Sequence, residues 1–528
     1  MKKNLFVLLC VGIFGLQFSN VSANPIPETQ KSKLYQVFEP LFWAIGYREL
    51  KVHVKDEFTG APISNALVMF GMEPDVQDAN NLKYTDEKGV VSFDGFQLPQ
   101  GPLTLTVAHA NYSRVTVFDS LATQFEVSLT PLAQQKEDKA ILSGEFTHWP
   151  EMEDYDGVVH AGFVIPFIDI VSMINFSTDK MLAPNTKARI YKDVEVPGNL
   201  VIPSQEERFM GFISVYVSKP QYQMPLLKNS TQSLIALAGD LPFSDMAKGI
   251  INKHPLPDLL NLFELKQFSM VLNHAMSSEN QNLDIPLTYA LKSRFDVSVN
   301  QSPNDKDIIY ISAGAFKDKL DQLFPMDFKV SSRSKSNKSA RLKSLAAHNI
   351  FPPLQELVML IAADLPKNSK DSRKKDTALS GVLTRPAQSD QSIYVTAFLD
   401  LLDLFQKGNT FSYQKRNTED YPLQSQMSVS FINLEPKKDE KDEKKELPPT
   451  QTWWTVVAPS SLERYKLPTL PNELSTFPTP NANQKLTFAM NVFGFNSKEY
   501  TFDYHNLADD IYTKGLTHFS RNELDIQP

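Results

Sequence analysis

The sequence predicts a mainly β protein, built from tandem antiparallel β-sandwich domains with two helical inserts. Three observations lead to this prediction. Short apolar and β-branched runs such as Leu103-Thr104-Leu105-Thr106-Val107 recur between turn signals along most of the chain. Proline outnumbers glycine, 35 to 20, which suits many short strands joined by stiff turns. A helical period replaces the strand period in two places, residues 233–277 and 351–365.

Residues 1–23 have the pattern of a secretory signal peptide. Lys2 and Lys3 precede an apolar run, and Val21-Ser22-Ala23 has the small residues of a cleavage site. We expect cleavage after Ala23 and an exported protein that is periplasmic, secreted or at the outer surface. Cys10 is the only cysteine and lies in this segment, so the mature chain would have no disulfide. No later apolar run is long enough for a transmembrane segment.

Residues 24–49 form an aromatic-rich lead-in, and residues 50–132 have the pattern of one small β domain. Leu50, Val52 and Val54 alternate with polar residues, as in a half-buried strand. Turns follow at Thr59-Gly60 and at Thr85-Asp86-Glu87-Lys88-Gly89, and further strands are expected at the segments 67–70, 90–93, 103–107, 115–117 and 125–129.

This order of strands and turns resembles the carboxypeptidase regulatory-like module, which is a transthyretin-like or CNA-B-like β-sandwich. The resemblance is carried by Thr59-Gly60-Ala61-Pro62-Ile63, by the Thr85–Gly89 turn with Phe93, and by Gly101 to Tyr112. It implies an Ig-like or transthyretin-like sandwich over 50–132 and identifies a module without a reaction.

The rest of the chain divides into three predicted regions. Residues 138–330 are β-rich with the helical insert 233–277, where apolar residues between Leu259 and Leu272 recur at helical spacing. Residues 331–376 contain a basic loop and the second predicted helix. Residues 377–528 form a C-terminal β-rich domain. Within it, the charged loop 435–446 lies between two strand-like runs and predicts a long hairpin.

One histidine–glutamate pair has the spacing of a zinc site. His148 and Glu151 form an H-x-x-E pattern, and His274 follows 123 positions after Glu151. This spacing resembles the zinc ligands of metallocarboxypeptidases, but the surrounding sequence does not match that family. With 9 histidines, such a pattern also arises easily by chance. We therefore expect no catalytic zinc and no cofactor.

An acidic loop follows, with Glu151, Glu153, Asp154 and Asp156 close together in the sequence. Carboxylates this close repel one another unless a cation or solvent screens them, and calcium prefers such oxygen ligands. The spacing of an EF-hand is absent. Two interpretations stay open here: a solvated acidic hairpin loop, which is the simpler one, and a calcium site.

Trp453 and Trp454 are the remaining candidate site residues. Adjacent residues on a regular strand face opposite sides, so one ring would lie in the core. The other would either pack between domains or form an exposed contact surface for a sugar ring or a protein.

These features favour a non-enzymatic exported protein that acts in binding, adhesion or envelope scaffolding, with a protein or carbohydrate partner. The net charge of −8 disfavours nucleic acid as that partner. The alternative is an exported hydrolase that acts on glycan or peptide through carboxylates that no motif identifies. No nucleophile elbow, zinc-protease or phosphate-loop motif is present.

Overall fold

The computed structural model describes most of the chain after residue 48. The described residues are 49–57, 59–74, 81–94, 98, 101–132, 139–148, 158–168, 173, 183, 185–187, 195–201, 207–209, 213–215, 220–242, 244–245, 248, 261–277, 279–300, 306–316, 319–332, 338–345, 354–364, 378–386, 391–395, 398–414, 423–433, 451–459, 461–471, 474, 484–495 and 516–526. The predicted signal peptide and almost all of the lead-in lie outside them.

The chain forms two compact units. One comprises residues 51–92 and 101–528. The other comprises residues 1–50 and 93–100, of which Glu49, Leu50, Phe93, Asp94 and Leu98 are described.

Strands account for most of the described residues, which confirms the mainly β fold class. The strands of the first third are β1 (Leu50–Asp56), β2 (Leu67–Phe70), β3 (Leu82–Tyr84), β4 (Val90–Phe93), β5 (Leu103–Ala108), β6 (Arg114–Ser120), β7 (Gln124–Leu129), β8 (Lys139–Thr147), β9 (Val158–Pro166), β10 (Asn185–Lys187) and β11 (Glu195–Pro197). Those of the middle third are β12 (Leu200–Val201), β13 (Glu207–Phe209), β14 (Ile213–Val215), β15 (Gln221–Leu227), β16 (Thr231–Pro242), β17 (Glu264–Ala275), β18 (Gln281–Asn282), β19 (Ile285–Pro286), β20 (Tyr289–Val299), β21 (Asp307–Phe316), β22 (Lys319–Ser331) and β23 (Lys338–Leu345). The last third contains β24 (Leu354–Ala363), β25 (Leu379–Thr384), β26 (Gln391–Val395), β27 (Asp403–Lys407), β28 (Thr410–Gln414), β29 (Leu423–Asn433), β30 (Gln451–Pro459), β31 (Arg464–Lys466), β32 (Gln484–Phe495) and β33 (Leu516–Ile526).

The largest sheet has 12 strands in the order β22-β21-β24-β25-β33-β32-β29-β30-β6-β5-β2-β3. Its strands come from all three parts of the described chain. Strand β6 of the N-terminal region pairs in parallel with β30, and β25 pairs antiparallel with β33. The regions predicted as serial domains therefore share one hydrogen-bonded sheet.

Within residues 50–132 the strands form two sheets, as a β-sandwich requires. Strands β4, β1 and β7 make a three-stranded sheet in which β1 and β7 are parallel, and β3, β2, β5 and β6 end the large sheet. Strand β2 is buried along its whole length because both of its faces are covered. Leu67 and Met69 belong to a core that also contains Trp453, so this region packs against C-terminal residues. Its carboxypeptidase regulatory-like identity stays a prediction.

The middle of the chain is layered. A seven-stranded sheet contains β12, β9, β16, β17, β20, β23 and β26, and its β20, β23 and β26 share an apolar core with β21 and β24 of the large sheet. The same seven-stranded sheet packs through β9 and β16 on a smaller sheet formed by β15, β8, β18 and β19. Apolar side chains on both faces therefore hold three layers together.

The predicted helical insert at 233–277 is wrong, because most of its described residues form β16 and β17 and only residues 244, 245 and 248 are helical. A bulge explains the helical spacing: Ala238 pairs with Gln267 and Gly239 with Leu265, which leaves Lys266 as an extra residue. The extra residue brings Leu265 and Phe268 into one core although they are three positions apart. A bulged strand thus imitates the i, i+3 pattern of a helix.

The predicted helix at 351–365 is also wrong, because β24 occupies this position. Leu357, Met359 and Ile361 lie in one core, while Val358 and Leu360 lie in the core on the opposite face. A central strand that is buried on both faces gives a continuous apolar run, and periodicity cannot distinguish it from a buried helix.

The hairpin predicted around the charged loop is confirmed by antiparallel pairing of β29 and β30, from Gln424 with Pro459 to Phe431 with Gln451. Residues 435–446 themselves lie outside the described residues. No helix in the described part of the chain is long and apolar enough to cross a membrane.

Candidate functional site

The candidate ligands of the zinc and calcium hypotheses are not brought together by the described structure. Glu151, Glu153, Asp154 and Asp156 lie outside the described residues, and His148 is an exposed residue with a φ of 56°. His274 pairs its Nε2 with Oε1 of Gln281 at 3.0 Å. Over the described ranges, no group of three or more His, Cys, Asp or Glu side chains is placed to hold a metal ion.

Both candidate tryptophans are buried, and the prediction that they face opposite sides is wrong. Each is only 4% exposed, and the two rings meet edge to face with centroids 5.2 Å apart. The cause is a second bulge: Val429 pairs with Trp454 and Ser430 with Thr452, which leaves Trp453 as the extra residue. Both rings then enter the same core, so neither offers a contact surface to a partner.

A buried arginine completes this tryptophan cluster. The Arg114 guanidinium carbon lies 4.5 Å from the Trp453 ring centroid, and its Nη2 donates to the Leu474 carbonyl at 2.9 Å. Its Nε and Nη1 have no hydrogen-bond partner among the described residues, so the aromatic faces replace water around them. Burial lowers the pKa of Arg114 to about 10, which leaves it charged at neutral pH. Since Trp454 Nε1 also donates to Thr116 at 2.9 Å, the cluster fastens β30 to β6.

A second polar cluster fixes β23 against the large sheet. We call it the β23 clamp, and it consists of Ser312, Asp327, Lys343, Ser344 and Glu356. The backbone N–H of Lys343 donates to Asp327 Oδ2 at 2.7 Å, and Ser312 donates to the carbonyl oxygen of the same lysine. Ser344 donates to the Glu356 carboxylate. Side chains of β21, β22 and β24 thus satisfy polar groups of β23 between two apolar cores.

Asp327 is the most unusual carboxyl group of the clamp. It is 1% exposed, and burial raises its pKa although the backbone N–H groups of Lys343 and Phe328 donate to it. A raised pKa is what a general acid needs, but an enclosed group reaches no substrate. We therefore assign Asp327 a structural role.

We expect the stability contributed by Asp327 to fall as the pH rises. Because its folded pKa is raised, the folded state binds more protons than the unfolded state between the two pKa values. The free energy of unfolding of the wild type, relative to Asp327→Asn, should therefore decrease as the pH rises above about 4, the ordinary pKa of an aspartate. Urea denaturation at each pH measures this difference. A difference that grows with pH would show that the backbone hydrogen bonds outweigh burial.

A row of ionic side chains continues from the clamp toward solvent. This ion-pair row contains His160, Asp240, Glu264, Lys266 and Lys343. His160 Nδ1 lies 2.8 Å from Asp240 Oδ1, and Lys266 pairs with the other oxygen of that carboxylate. Lys343 Nζ donates to Glu264 at 2.6 Å. Asp240 and Glu264 are themselves cross-strand partners, so the row connects β9, β16, β17 and β23.

The alternative function, glycan hydrolysis, needs two neighbouring carboxyl groups. Asp240 and Glu264 are adjacent and form the candidate pair. That mechanism also needs one carboxyl that stays protonated near neutral pH. The hydrogen bond from Lys343 instead lowers the pKa of Glu264. Glu264 is therefore ionised and unsuited to act as the acid, and the row is better explained as cross-strand ion pairing.

No sequence motif marks Arg114, Asp240, Glu264 or Asp327. Each is a charged residue within a strand, and the partners that define its cluster come from other strands or loops. Only the strand pairing brings these residues together.

No protein-family model matches the chain, and no curated protein sequence matches it. A search of solved structures finds similarity to a minor pilin of Streptococcus agalactiae, with 10% identity over 46% of this chain and 95% of that chain and a TM-score of 0.14. The Bacillus anthracis TIE protein is 8% identical over 67% of this chain and 51% of its own, with a TM-score of 0.13. The pilus adhesin SpaC of Lactobacillus rhamnosus GG is 6% identical over 78% of this chain and 43% of its own, with a TM-score of 0.15. TM-scores this low establish no common fold.

Proposed function

We propose that the protein is an exported, non-enzymatic β framework that binds a partner at the cell envelope or cell surface. The observation that carries the proposal is the 12-stranded sheet, which joins the first, middle and last parts of the described chain into one β framework. Such a framework presents broad sheet faces at fixed positions. Export rests on the signal-peptide pattern of residues 1–23.

The electrostatics support binding over hydrolysis. The carboxylates of the ion-pair row are matched with lysine or histidine partners, and Asp327 is enclosed. Charged groups with these partners stabilise strand contacts and orient neighbouring strands. They are poorly suited to give or take a proton during turnover.

The test is co-sedimentation of the purified mature protein with isolated cell envelopes of the producing organism. Saturable pelleting is expected, and heat-unfolded protein is the control for trapping. The same supernatants should contain no glycan or peptide fragments that increase with time. Fragment release by the wild type that Glu264→Gln abolishes would favour the hydrolase instead, and absence of any pelleting would overturn the binding proposal.

A further inference from the structure

The outer surface of three strands in the seven-stranded sheet carries an exposed aromatic ring among polar side chains. Strand β20 lies between β23, which is antiparallel to it, and β26, which is parallel to it. We call the surface on the solvent side the Tyr394 face, and its outward side chains are Asp296, Ser298, Ser339, Arg341, Ser392 and Tyr394.

Tyr394 is 71% exposed, more than any other large hydrophobic side chain in the described ranges. Its strand neighbours Ile393 and Val395 are buried in the core beneath, which fixes the backbone that carries the ring. Its cross-strand partner is Ser298, and Ser392 lies two positions earlier on the same strand. Because these serines are small, the ring is not shielded on the face that it shares with them.

One exposed tyrosine is ordinary, so the second observation is the ion pair beside it. Arg341 Nε and Nη2 donate to the two oxygens of Asp296 at 2.7 and 3.2 Å. This bond lowers the pKa of Asp296, which keeps the carboxylate ionised. Both side chains are more than half exposed, so the pair contributes little to stability. It nevertheless holds a carboxylate acceptor and a guanidinium donor group at a defined place.

The spacing of the two features follows from sheet geometry. Asp296 is one strand across and two residues along from Tyr394, which places their Cα atoms about 8 Å apart. A ring stacked on Tyr394 would therefore have its polar edge, or the next ring of a chain, beside Asp296 and Arg341.

We propose that the Tyr394 face binds a neutral glycan, with the C–H face of one pyranose ring stacked on Tyr394 and neighbouring hydroxyls bonded to Asp296 and Arg341. This inference rests on the proposed binding function and names its partner class. A sugar ring with equatorial hydroxyls has an apolar face and a polar rim, and the Tyr394 face offers the complement of both. A protein interface would need a wider apolar centre than one ring, and an anionic ligand would find the Arg341 guanidinium already paired with Asp296.

Isothermal titration calorimetry tests the inference by measuring the affinity of the purified mature protein for cellohexaose and for chitohexaose. Binding of at least one of these β-1,4-linked oligosaccharides is expected. Tyr394→Ala should weaken it at least tenfold, while Tyr394→Phe, which keeps the ring, should retain it. Tyr84→Ala is the matched control, since Tyr84 is another exposed tyrosine, 52% exposed, on a different sheet. Arg341→Met should also weaken binding. Its midpoint of thermal unfolding should differ from that of the wild type by no more than the midpoint of Tyr84→Ala does.

Three outcomes would overturn the inference, and the first two are distinguishable from failure of the proposed function. In the first outcome, the wild type pellets with envelopes but binds neither oligosaccharide. The proposed binding function then stands, and the assignment of a glycan partner is wrong. Equal oligosaccharide binding by wild type and Tyr394→Ala would place the glycan elsewhere on the chain. Failure of both assays would overturn both proposals.

Discussion

Gly239→Ala is expected to lower the free energy of unfolding by about 3 kcal/mol, at the upper end of the cost of inserting a methyl group into packed structure. A Cβ atom on Gly239 would lie 2.0 Å from the Glu264 carbonyl oxygen and 2.7 Å from the Leu265 Cα. Both obstacles are backbone atoms of β17, so no side-chain rotation relieves the contact. The strands β16 and β17 must separate at the bulge where Lys266 is the extra residue of the register.

The control for this variant is Gly60→Ala. Gly60 has a φ of 69°, and a Cβ atom added there would meet nothing within 4 Å, so only backbone strain of about 1–2 kcal/mol is expected. Urea denaturation of both variants gives the comparison. A separation of β16 from β17 should also accelerate amide hydrogen exchange in both strands. If Gly239→Ala is no more destabilising than Gly60→Ala, the close approach of β17 at this point is incorrect.

The fold class and many strand positions could be predicted because turn residues and apolar alternation are local. Leu50, Val52 and Val54 alternate in the sequence and are buried in the structure. The predicted helices failed for equally local reasons. A bulge at Lys266 changed the apolar spacing from two to three, and burial of β24 on both faces removed its periodicity.

The candidate sites could not be predicted because they depend on pairing between distant segments. Arg114 and Trp453 meet only because β6 pairs in parallel with β30, and Asp327 receives its hydrogen bond from a strand of another sheet. The bulge at Trp453 has no sequence signature, and it placed both rings in one core where the sequence predicted opposite faces. Tyr394 could not be singled out because an isolated tyrosine in a strand is indistinguishable from a core residue without its register.

Trp454→Ala is expected to be the most destabilising of these substitutions, at about 4 kcal/mol. The change removes a buried ring from the core and the hydrogen bond from Nε1 to Thr116. It also exposes Arg114 to a cavity from one side. Trp454→Phe should cost much less, since an aromatic ring remains and Thr116 keeps Thr106 as a partner at 3.0 Å. Phe405→Ala, at a ring that is 54% exposed, is the control and should change stability by less than about 0.5 kcal/mol.

Hydrogen exchange followed by mass spectrometry shows which strands become less stable when Trp454 is replaced. Strand β30 pairs with β29 on one side and with β6 on the other, so Trp454→Ala should accelerate exchange in both directions. The amides of β5 (Leu103–Ala108) lie one strand beyond β6 and should lose protection together with those of β29. Unchanged exchange in β5 beside faster exchange in β29 would mean that residues 50–132 fold as an independent sandwich. A single cooperative structure would lose amide protection on both sides of β30. Loss on one side only would therefore mean that the shared sheet is a contact between two domains.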